Sequence, residues 1–93
     1  MSRRIILSPD AQADVSAVER WYRDKDPSLA FAFRTELRSM LSAIAQYPYA
    51  FLKVRGIIRR ALMKQFPYVI YFRLENGAVS VLAVLHERRR QTY

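Results

Sequence analysis

Cysteine is absent from this 93-residue chain. Disulfides, thiolate metal sites and cysteine nucleophiles are therefore excluded. The absence is compatible with a reducing cytoplasm, where we expect the protein to act. Glycine occurs twice, as Gly56 and Gly77, and histidine once, as His86. Two isolated glycines cannot build a phosphate-cradling loop. One imidazole with scattered carboxylates gives no metal-ligand spacing. Neither a cofactor nor a metal is expected. No apolar run approaches the ~20 residues that span a bilayer, so no membrane partner is expected either. The start Met1-Ser2-Arg3-Arg4 is basic, but Ile5-Ile6-Leu7 is shorter than the ~7–15 apolar residues of a signal peptide. Acidic residues are scarce: 8 Asp plus Glu stand against 16 Lys plus Arg, a net charge of +8. Such an excess suits a polyanion, an acidic protein partner, or a solvated basic surface kept for solubility.

What is present reads as one globular domain, residues 1–93. Hydrophobic residues make up 52% and charged residues 26%, which is a folded rather than a disordered composition. Ile5-Ile6-Leu7 suits a short buried strand. Ser8-Pro9 then places an N-cap before a proline whose missing N–H costs nothing at the first helical position. Ala11, Val15, Val18, Trp21 and Tyr22 follow at helical spacing, to an end near Asp24. Asp26-Pro27 repeats the capping device. Leu29, Phe33, Leu37, Met40, Leu41 and Ile44 form the apolar stripe of a second helix, which must stop by Tyr47 because Pro48 follows. Tyr47 to Gly56 has no clear period and is expected to be a loop.

Three strands are expected beyond it. Ile57 to Met63 is the first, and Pro67 separates it from the second. Asn76-Gly77 is a strong two-residue hairpin signal, since both positions tolerate positive φ. A regular register from that turn pairs Leu74 with Val79, Phe72 with Val81, Ile70 with Ala83 and Tyr68 with Leu85, all on the face packed against the helices. Tyr71, Arg73, Ser80, Leu82, Val84 and His86 fall on the other face. The expected fold is α+β, in the order β-α-α-β-β-β, with a helical hairpin on one face of a mainly antiparallel four-stranded sheet.

Arg59 and Arg60 sit inside an apolar strand, and alternation sends them to opposite faces. With Arg73 and the run Arg88-Arg89-Arg90 they could line a basic groove for carboxylates or phosphates. The competing reading is a sheet edge blunted by charge. His86 is a candidate base or phosphate ligand, against the plainer role of a hydrogen-bonded strand-end residue. Asp10 and Asp14 share one helical face, where a pair of carboxylates is usually there for solvation. Tyr47, Tyr49, Phe51, Tyr68, Tyr71 and Phe72 place aromatics near the cations, mostly for packing. Tyr93 has no obvious reason to be buried.

Arg59-Arg60, Phe66-Pro67-Tyr68-Val69-Ile70-Tyr71-Phe72 and Val84-Leu85-His86-x-Arg88-Arg89, in this order, resemble the ParE/RelE superfamily of bacterial type II toxin–antitoxin toxins. Leu7-Ser8-Pro9-x-Ala11 before a Trp-Tyr helix is also similar, so the resemblance spans nearly the whole chain. It implies a growth-inhibiting, plasmid-stabilising toxin whose cognate antitoxin is a small acidic protein. The two would form a hetero-oligomer that meets operator DNA only through the antitoxin. The antitoxin/target-binding residues it implies are Arg59, Arg60, Arg73, His86, Arg88, Arg89 and Arg90. RelE-like members are ribosome-dependent mRNA endonucleases, and for that branch Arg59, Arg60, His86 and Tyr93 would be catalytic. ParE-like members inhibit DNA gyrase by binding. Tyr68 stands where nuclease members usually carry an arginine, which favours the ParE-like branch. A nuclease and a harmless nucleic-acid-binding module remain the alternatives.

Overall fold

A computed structural model describes residues 2–89. The elements are β1 (Ile5–Leu7), α1 (Pro9–Lys25), α2 (Pro27–Gln46), a 3-10 turn (Pro48–Ala50), β2 (Lys53–Arg55), β3 (Ile58–Leu62), β4 (Tyr68–Glu75) and β5 (Ala78–His86). The sheet order is β1-β5-β4-β3-β2. β1 runs parallel to β5, and the other neighbours are antiparallel. The architecture is the expected α+β arrangement with one strand more. The segment expected to be a loop supplies β2, which pairs Lys53 with Arg59. One apolar residue between two cations gave it no visible period.

Both capping devices form. Ser8 is extended, and its Oγ accepts the Ala11 N–H at 3.0 Å. Asp26 serves two helices at once. Its N–H donates to the Tyr22 carbonyl at 2.8 Å, closing α1, and its Oδ1 accepts the Ser28 N–H at 3.0 Å, opening α2. A link this short makes the helices neighbours. Ala11 and Val18 of α1 and Phe33, Leu37 and Ile44 of α2 are buried against Ile70, Phe72, Val79, Val81 and Val84 of the sheet. Removing each of these side chains larger than alanine from water contributes roughly 1.5–3 kcal/mol. Trp21, by contrast, is 54% exposed.

The β4–β5 register departs from the regular one halfway along. Leu74 pairs with Val79 and Phe72 with Val81, as the turn dictates, with Asn76 and Gly77 both at positive φ. The step from Phe72 to Tyr71 is then matched by the step from Val81 to Ala83. Leu82 is therefore the extra residue of a β-bulge. Beyond it, Ile70 pairs with Val84 and Tyr68 with His86, not with Ala83 and Leu85. The bulge moves Val84 and His86 onto the helix-facing side. Val81-Leu82-Ala83-Val84 is apolar at every position, so alternation could not mark the slip.

Candidate functional site

Pairing distributes the candidate cations over different surfaces. Arg60 lies opposite Tyr71, and Arg73 opposite Ser80, so both belong to the face away from the helices. Arg60 is exposed. Arg73 forms an exposed pair with Glu75, its Nη2 3.3 Å from the carboxylate, a contact worth at most about 1 kcal/mol. Arg59 lies opposite Phe72, on the helix side. Its Nη1 donates to the Phe51 carbonyl at 2.8 Å. Its guanidinium sits 5.2 Å from the centre of the Tyr49 ring. Arg88 and Arg89 are exposed beyond β5, and the Arg89 N–H donates to the His86 carbonyl at 2.9 Å. Arg90 and Tyr93 lie outside the described residues.

His86 belongs to a cleft on the helix side. The cleft holds about 470 Å³ between α1 and the ends of β4 and β5, among Asp14, Trp21, Tyr22, Tyr68 and Arg89. The imidazole meets the Tyr68 ring edge-on at 5.4 Å. Its Nδ1 accepts the Arg88 N–H at 3.1 Å. The rings of Tyr22 and Tyr68 meet edge-on, 6.4 Å between their centres. Burial pushes the Tyr22 phenol up from its ordinary value, and the adjoining Tyr68 adds to the rise. Burial also raises Tyr68, against a smaller lowering by the neighbouring Tyr22 hydroxyl. Both phenols stay protonated near neutral pH and act there as hydrogen-bonding groups, not as bases.

Phosphodiester cleavage needs a proton acceptor and cations aimed at one phosphate. Here Arg60 is on the open face, Arg59 is held against Phe51 and Tyr49, and His86 is in the α1 cleft. These residues do not converge on one surface.

Two carboxylates emerge whose roles the sequence did not disclose. Asp14 is not a solvated helix residue: its Oδ2 accepts the Val84 N–H of β5 at 3.0 Å. Glu36 of α2 accepts the amides of Lys64 and Gln65, pinning the β3–β4 connection. No local signal separates such carboxylates from solvated ones. Only the folded chain brings them to a sheet edge or a loop. Among the described residues no helix is long and apolar enough to cross a membrane, and no cluster of His, Cys, Asp or Glu could hold a metal ion.

No curated protein sequence matches the chain. Its fold is similar to a solved structure described as the chromosomal ParDE TA system from P. aeruginosa, with a TM-score of 0.79 at 15% identity, covering 91% of this chain and 96% of that one. At that identity the likeness speaks for the fold alone. The sequence itself matches the model of the ParE toxin of the type II toxin-antitoxin system, parDE, over residues 5–91. That span takes in the capped helical hairpin, the cleft and every described strand, and the chain belongs to the ParE toxin family.

Proposed function

We propose that this protein arrests bacterial growth by binding DNA gyrase in the cytoplasm, and that a small acidic antitoxin neutralises it in a hetero-oligomer. Recognition of the operator's sequence would come only through that antitoxin. The observation that carries the reading is the scattering of Arg59, Arg60 and His86 over separate surfaces. A binding protein has no need to converge them, whereas a nuclease does. Membership of the ParE family supports the same branch. For the antitoxin, exposed Arg60, half-buried Arg73 and the exposed Arg88 and Arg89 offer donors suited to carboxylates.

The test is induced expression in a bacterium, scoring growth, plasmid supercoiling and mRNA integrity in one culture. Arrest with relaxed or cleaved plasmid and intact mRNA is expected. Arrest with mRNA cut at ribosomes would replace the gyrase reading with the nuclease one, and unimpaired growth would sink both. An Arg60→Ala/Arg73→Ala variant is expected to weaken antitoxin capture at least tenfold, measured by calorimetry with the purified partner.

A further inference from the structure

Charge is segregated along this chain. From Leu37 to Leu74 there is no Asp or Glu, yet there are seven Lys and Arg. Six of the eight acids fall between Asp10 and Glu36. In the fold, the acid-free stretch supplies the 3-10 turn, β2, β3 and most of β4, ending at the sheet edge farthest from β1. Tyr49, in the 3-10 turn of that stretch, is 68% exposed. Arg59 lies 5.2 Å from its ring centre and Arg3 lies 5.8 Å away. Lys53 pairs with Arg59 across the ladder, and Tyr49, Lys53 and Arg59 line one hollow of about 270 Å³. None of Arg3, Lys53 and Arg59 forms an ion pair with a described carboxylate.

We propose that Arg3, Lys53 and Arg59, gathered around Tyr49, form a phosphate-backbone clamp for duplex DNA. Like charges brought this close repel one another, and an anion between them reverses the sign of the interaction. Arg59 spends one N–H on the Phe51 carbonyl, which fixes the guanidinium while leaving donors for phosphate oxygens. The Tyr49 ring is engaged with guanidinium groups, so it orients cations and is not a free platform for a base. Contact is therefore with the backbone and independent of sequence. A duplex presents the denser array, about one negative charge per 1.7 Å of axis. The clamp does not rest on the gyrase reading, since purified protein and DNA suffice to test it.

The test is fluorescence anisotropy of a labelled duplex of about 20 base pairs, titrated between roughly 50 and 200 mM salt. Arg3→Gln/Lys53→Gln is compared with Arg20→Gln/Arg23→Gln, which removes the same charge from exposed positions on α1. Each lost contact flattens the plot of log affinity against log salt by about 0.9, so the clamp variant is expected to flatten it by about 1.8 and bind about tenfold more weakly. The α1 variant is expected to stay within twofold of the parent, and Tyr49→Leu to weaken binding with no change of charge. Thermal melts establish that each variant is folded. Equal losses in the two charge variants would reduce the effect to diffuse net charge and overturn the clamp. So would tighter binding of the matching single strand, or displacement of the duplex by polyglutamate at equal charge.

Discussion

The two edges of this sheet solve one problem in opposite ways. β1 stops at Leu7, so β5 beyond Val81 has no strand beside it on that side. Helix α1 takes the place of one. The Ser8 Oγ donates to the Leu82 carbonyl at 3.1 Å, and Asp14 accepts the Val84 N–H at 3.0 Å. The bulge at Leu82 falls where strand pairing gives way to these side chains. At the far edge, β2 is three residues long, with Lys53 and Arg55 exposed. A short, charged edge resists pairing with another chain. One edge is sealed by specific long-range bonds, and the other is short and carries exposed charge. The sealed edge serves stability, and beside the open one lies the anion clamp we propose.

Substitutions at the two edges should therefore differ in kind. The largest effect is expected from Asp14→Ala, which strands a part-buried N–H and costs about 1–3 kcal/mol in chemical denaturation. Asp14→Asn keeps an acceptor and should recover most of that loss. Ser8→Ala removes a helix cap and the bond to Leu82 together, for about 1 kcal/mol. Lys53→Ala, at the other edge, should stay within about ±0.5 kcal/mol while still weakening anion binding. A stability loss there equal to that of Asp14→Ala would erase the distinction between the edges.

The smallest effect concerns how dry the α1 side is. The phenols of Tyr22 and Tyr68 are raised above 10.0 in the folded chain. Their preference for the protonated form is fully present below the unfolded value near 10. It is lost as pH rises through the raised folded values, so stability should fall with pH there. Tyr22→Phe should flatten that alkaline decline and leave stability at pH 7 nearly unchanged. A decline of unaltered steepness would exclude the tyrosine pair as its source.

Much of the fold was legible because its punctuation is local. Ser8-Pro9, Asp26-Pro27 and Asn76-Gly77 each state their own geometry within two residues, and the turn fixes the register as far as Val81. The bulge was hidden because Val81 to Val84 is apolar on both faces. β2 was hidden because Lys53-Val54-Arg55 has no pattern that a loop lacks. For the site, alternation correctly separated Arg59 from Arg60, but it could not choose their faces. That choice depends on which residue of β4 each one meets. His86 was placed on the wrong face for the same reason that the bulge was missed.

The pairing of β1 with β5 also orders events in time. The strand made last of the five lies inside the sheet, with the first-made strand on one side and β4 on the other. Ile5 waits for Val79 and Leu7 for Val81, and Ser8 and Asp14 wait for Leu82 and Val84. Contacts this distant in sequence form late and slowly. A nascent chain halted before Val79 holds β1, Ser8 and Asp14 without the β5 partners they bond in the finished fold.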